Sequence, residues 1–115
     1  MAVTEATVRK EALALDGVTE APSYGTPGFK VRGKLFARLH QDGESLVVRV
    51  DLMERELAMG ANPDVFFLTD HYVGYPWMLL RLARVSPAVL RQTLRQAWAT
   101  AQAKPRRGRS TKGRG

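Results

Sequence analysis

The sequence predicts an α+β fold, a two-layer antiparallel sheet with helices, ordered helix, strands, helix, strands, helix. Three observations carry that expectation. Apolar residues alternate from Phe29 to Val50 around Asp42-Gly43, a two-residue hairpin signal. Apolar residues recur at helical spacing at both ends, as Val8, Ala12 and Leu15 and as Leu90, Leu94, Ala97, Trp98 and Ala101. Between them, Asp51 followed by Glu54 reads as a helix N-cap with its third-position partner.

The first helix is expected over Thr4 to Leu15, stopped by Asp16-Gly17 with glycine suited to a left-handed cap. The stretch from Ala21 to Gly28 holds two prolines and two glycines. It predicts only a short edge strand and a turn. In the central hairpin, counting out from Asp42-Gly43 sets Leu39 opposite Leu46, Ala37 opposite Val48 and Leu35 opposite Val50. A three-residue loop Val31-Arg32-Gly33 would place Phe29 on the same apolar face as Leu35, burying a phenyl ring rather than the Lys30 ammonium. The other face would then carry Lys30, Lys34, Phe36, Arg38, His40, Val47 and Arg49. The second helix should end near Met59-Gly60, and Asn62-Pro63 should open a short turn. Phe66 to Val73 and Trp77 to Leu82 read as strands, the latter apolar on both sides and so central or covered. Ser86-Pro87 caps and opens the last helix.

The chain's 115 residues, 44% of them hydrophobic, fit one domain with a real core. That domain is expected over 1–103, with a disordered basic tail over 104–115. There is no cysteine, which excludes disulfide scaffolds, thiolate metal sites and cysteine enzymes. The N-terminus has no apolar run of the secretory type, and nothing approaches a membrane span, so the expected location is the cytoplasm. The net charge of +7 is unevenly spread. Lys104, Arg106, Arg107, Arg109, Lys112 and Arg114 contribute six positive charges with no acid among them, leaving the body near +1.

Leu15-Asp16-Gly17-Val18, Tyr24-Gly25-Thr26-Pro27-Gly28-Phe29 and Lys30-Val31-Arg32-Gly33-Lys34-Leu35-Phe36-Ala37 together resemble the N-terminal half of MmcQ/YjbR-like proteins. Val48-Arg49-Val50, Tyr72, Gly74, Trp77 and Ala97-Trp98 extend the likeness over about residues 5–103. Asp16 stands where the family usually has proline. The resemblance implies an α-β-α sandwich-like domain similar to secretion chaperones, and a DNA-binding role.

The candidate chemistry is electrostatic. Lys30, Arg32, Lys34, Arg38 and Arg49 around Phe36 could hold phosphates and stack a base, and Arg106, Arg107 and Arg109 could track a polyanion. The bland alternatives are solvated sheet residues and a solubilising tail. Gly25-Thr26-Pro27-Gly28 lacks both the P-loop ending and the dinucleotide glycine spacing, so it reads as a turn. His40, Asp42, Asp70 and His71 lack the spacing of a metal site, and no serine has an attendant base. Trp77 and Trp98 read as core residues, with Tyr72 and Tyr75 as the exposed aromatic pair. The expectation is a nucleic-acid-binding monomer that is not an enzyme and needs no cofactor, metal or membrane. The alternative is a protein-interaction module, in one version a homodimer.

Overall fold

The computed structural model describes residues 3–103. Helix α1 spans Glu5–Leu13 and is capped by Thr4, whose hydroxyl accepts from the Thr7 N–H at 3.3 Å while the Thr7 hydroxyl accepts from the Thr4 N–H. It stops two residues short of Leu15, and Gly17 at φ +73° turns the chain into the sheet. Helix α2 spans Leu52–Ala61, with the Asp51 carboxylate accepting from the Met53 N–H at 3.0 Å. It runs through Gly60 and ends at Asn62. Helix α3 spans Pro87–Gln102, opened as expected by the Ser86 cap and a proline in its first turn.

Six strands form one sheet in the order β1-β2-β3-β4-β6-β5, every neighbouring pair antiparallel. They are β1 (Val18–Ser23), β2 (Thr26–Val31), β3 (Lys34–Leu39), β4 (Ser45–Arg49), β5 (Phe66–Phe67) and β6 (Trp77–Arg81). The proline-rich stretch is thus a full hairpin rather than a short edge. Tyr24 and Gly25, at φ +55° and +82°, make a two-residue turn, and Pro22 falls opposite Pro27. Ser23 and Thr26 flank the turn and take the first hydrogen-bonded position. The prolines take the next, where no ladder N–H is needed. The stretch expected as a strand from Phe66 to Val73 pairs only at Phe66–Phe67, then coils into a 3-10 turn at Asp70–Tyr72.

The central register holds for Ala37 opposite Val48 and Leu39 opposite Leu46, but Leu35 does not face Val50, because Leu35 turns to the other face while Val50 packs against the core. The connection is wider than two residues, since His40 N–H already bonds to the Ser45 carbonyl. Asp42 closes it by accepting from the Glu44 N–H at 2.8 Å and from the Ser45 N–H and hydroxyl at 2.9 Å each. Burial is the largest single influence on the Asp42 carboxyl and opposes its ionisation. The Glu44 N–H, the Ser45 hydroxyl and the Ser45 N–H together outweigh it and hold the carboxyl below its ordinary value.

The β2–β3 turn corrects the sequence expectation. It is Arg32-Gly33, at φ +53° and +79°, which pairs Val31 with Lys34 and Lys30 with Leu35. The next pair is Phe29 with Ala37, so Phe36 is an extra residue in β3. Phe36 and Ala37 therefore both enter the core, while Leu35 and Lys30 turn to the opposite face. Phe36 is fully buried and is not part of a basic surface. Burying its ring contributes roughly 1.5–3 kcal/mol relative to leaving it exposed. Lys34 pairs with buried Val31, so it lies on the helix side and not with Lys30.

The main core lies between the sheet and the helices. Val8 and Ala12 of α1 and Leu90, Leu94, Ala97 and Ala101 of α3 cover Phe29, Phe36, Leu46, Val48 and Leu80. Trp98 is partly buried against this core and donates its indole N–H to the Asp16 carbonyl at 2.9 Å. Ala58 and Met59 of α2 close the β5–β6 side. On the opposite face a smaller cluster of Val47, Tyr72 and Leu79 is flanked by Phe67, Leu68 and Trp77. The covered, two-sided position expected for the last strand is therefore met by β6. Among the described residues no helix is long and apolar enough to cross a membrane.

The outward Leu35 needs an empty place beside it, and Gly28 supplies one. A Cβ on Gly28 would meet Ser23 Cβ at 2.9 Å, Leu35 Cδ1 at 3.0 Å and the Ala21 carbonyl oxygen at 3.1 Å. Gly28→Ala should therefore destabilise the fold by about 1–3 kcal/mol in chemical denaturation. An unchanged midpoint would show that Leu35 does not lie over this glycine.

Candidate nucleic-acid interface

The sheet face away from α1 and α3 carries no α-helix among the described residues, only the segment around Asp70–Tyr72. An open groove of about 680 Å³ runs across it. Leu35, Arg38 and Val47 form its floor, Tyr24 and Gln41 one wall, and Thr69, His71, Tyr75 and Trp77 the other. β3 supplies the floor because the extra residue at Phe36 sets the phase that turns Leu35 and Arg38 to this side.

Arg38 is only 6% exposed. It donates Nη2–H to the Tyr72 hydroxyl, and Nη1–H to Thr26 Oγ1 at 3.4 Å and the Leu39 carbonyl at 3.3 Å. Its guanidinium carbon lies 5.1 Å from the Tyr24 ring centroid. Two more such pairs cross the same face, Arg49 over Trp77 at 4.7 Å and Arg81 over Phe67 at 4.2 Å. Arg49 also donates to the Leu35 carbonyl at 2.9 Å. Burial pushes its pKa below the ordinary guanidinium value. Among the described residues the ion pairs are Arg9 with Glu5 and Glu20, His40 with Asp42 and Arg91 with Glu11. None of these pairs involves Arg38, Arg49 or Arg81.

Tyr24 is 79% exposed and sits at φ +55°. A bulky residue in the left-handed region costs roughly 1–2 kcal/mol, and here glycine or asparagine would be the ordinary choice. The Arg38 contact is a small return for that strain. Tyr75 faces the groove from the other side and is 59% exposed.

The far wall is pinned from behind by a residue the sequence reading passed over. Arg55 of α2 is 7% exposed and donates to the carbonyls of Val73 at 3.0 Å, Tyr75 at 2.7 Å and Trp77 at 3.1 Å, with a longer bond to Tyr72 at 3.4 Å. It has no carboxylate partner among the described residues, and its Nε–H is buried without an acceptor. The signal in the sequence was faint, one arginine in a short helix that otherwise reads as amphipathic.

The expected grip is thus redistributed. Lys30, Arg38 and Arg49 share the uncovered face, but Arg38 is buried and Arg49 half-buried rather than both reaching into solvent. Lys34 lies on the other side, Phe36 is in the core, and exposed Arg32 donates to Gln102 on α3 at 3.3 Å. Arg106, Arg107 and Arg109 lie outside the described residues. Of the tyrosines expected to be exposed, Tyr75 is and Tyr72 is buried under Arg38 and the His71 ring. Trp77 is half-buried on the outer face rather than in the main core. His40, Asp42, Asp70 and His71 form no metal-holding group among the described residues.

The architecture is that of an α+β domain with one helix-covered sheet face and one open face. The YjbR family model matches residues 13–100, and the chain belongs to that family. Among solved structures it is similar to DR2400 of Deinococcus radiodurans, described as carrying a DUF419 domain. The two share 22% identity over 89% of this chain and 80% of that one, at a TM-score of 0.75. At that identity the likeness concerns the fold. No curated protein matches.

Arg55 makes the wall testable. Arg55→Ala should destabilise the protein by about 3 kcal/mol, since hydrogen bonds to a charged group are each worth roughly 1.5–3 kcal/mol and the carbonyls lose their donor together. Arg55→Lys keeps the charge but cannot fork across the carbonyls, and should recover only part of the loss in urea unfolding.

Proposed function

We propose that this chain binds nucleic acid through the open sheet face, with the basic segment from Lys104 to Arg114 adding non-specific attraction. The observation that carries the reading is the row of three guanidinium–aromatic pairs, Arg38–Tyr24, Arg49–Trp77 and Arg81–Phe67, whose arginines have no ion-pair partner among the described residues. Positive charge attracts phosphates, and aromatic faces accept bases of any sequence. Family membership agrees with this reading but does not carry it.

A second reading rests on α2, whose Leu52, Met53 and Leu57 are exposed together. Such a face on a short helix suits contact with another protein or a second copy. The two readings separate in one experiment.

Labelled single- and double-stranded DNA is titrated with the full chain and with a chain ending at Ala103, at low and raised salt, while sedimentation reports the oligomeric state. Binding should weaken steeply with salt. If all six tail charges met phosphates, truncation would reduce the slope of log affinity against log salt by about 4–5. Absence of binding by the full chain at low salt sinks the nucleic-acid reading, and concentration-dependent association in that case supports the second.

A further inference from the structure

We infer that the groove between Tyr24 and Tyr75 is a subsite for one unpaired nucleotide, so that the folded domain prefers single strands to duplex. The inference rests on the nucleic-acid reading above and deepens it.

Three observations converge on the same groove. Its volume of about 680 Å³ falls in the range of small-ligand sites, roughly 300–1,000 Å³. It is open to solvent. Such a volume suits a single base with its phosphate, and the stacking faces of a base are free only when it is unpaired and unstacked. Second, Tyr24 and Tyr75 stand on opposite walls and are both exposed. Tyr24 holds its place at positive φ, where the turn alone would favour glycine. Third, the floor holds the Arg38 guanidinium. Its hydrogen bonds within the described residues leave from Nη1 and Nη2 to neutral oxygens, and no carboxylate offsets its charge. A buried cation without a counter-charge suits an anion that comes with a ligand, and a nucleotide phosphate beside a stacked base supplies one. Gln41 and Thr69 on the two walls can meet the polar edge of the base. These groups explain acceptance of any base better than choice of one.

The test uses the full chain, a labelled oligothymidylate, its duplex with oligoadenylate, thymidine 5′-monophosphate and inorganic phosphate. The single strand should bind at least about tenfold more tightly than the duplex. Tyr24→Gly and Tyr75→Ala should each weaken single-strand binding about tenfold, as loss of one stacking face does. Tyr24→Gly should also raise the unfolding midpoint, because glycine relieves the turn. A merely structural tyrosine would give the opposite sign. Thymidine monophosphate should displace the oligomer at lower concentration than phosphate. Equal affinity for duplex, or tyrosine variants that bind like the parent, overturn the subsite and leave tail-driven nucleic-acid binding standing. Displacement by phosphate as effective as by the nucleotide overturns the stacking part and reduces the groove to a site of charge. Failure of every nucleic acid to bind overturns this inference together with the reading beneath it.

Discussion

One extra residue in β3 decides which chemistry faces water. With Phe36 inserted between the pairs Lys30–Leu35 and Phe29–Ala37, the strand changes phase in its middle. The phenyl ring goes to the helices, and Leu35 and Arg38 go to the open face. Gly28 gives Leu35 room, and Arg49 takes up the Leu35 carbonyl. Without the bulge, β2 and β3 could not both bury Phe29 and present Arg38. Core packing and the site's electrostatics thus depend on one backbone irregularity.

The open face is held by arginines rather than by a second helical layer. Arg38 ties β3 to Tyr72, and Arg55 gathers the carbonyls of the segment leading into β6. Both guanidiniums are buried, and neither has a carboxylate partner among the described residues. Burying charge this way is a weak route to stability, since carbonyls and hydroxyls only partly offset desolvation. What it yields is a set of hydrogen bonds that tie the segment before β6 to α2 and to β3. The helix-covered side shows the opposite choice, with an apolar core and, among the described residues, ion pairs at its rim.

Much of the fold was legible because its signals are local. The cap at Ser86, the stop near Gly17 and the pairing of Leu39 with Leu46 follow from neighbours within a few residues. The bulge was not legible in position. Leu35-Phe36-Ala37 is apolar in either phase, and only the packing of α3 selects the one that buries the larger ring. The prolines at 22 and 27 argued against long strands, yet they fall opposite each other where no N–H is required. The site was legible in composition more than in geometry. Lys30, Arg38 and Arg49 do share a face, but the burial of Arg38 depends on Tyr72, 34 positions away. The pinning by Arg55 reaches 17 to 22 positions ahead. Such pairings leave no periodic trace in a single sequence.

The central claim is that the open sheet face, and the groove on its floor of Leu35, Arg38 and Val47, is where a nucleic acid meets the folded domain. Nuclear magnetic resonance of the full chain during titration with a short oligothymidylate tests it most directly. The account predicts that the Arg38 Nε–H and the rings of Tyr24, Tyr75 and Trp77 shift together, while the amides of α1 and α3 stay in place. Shifts confined to the helix side, or to residues beyond Ala103 alone, would contradict it.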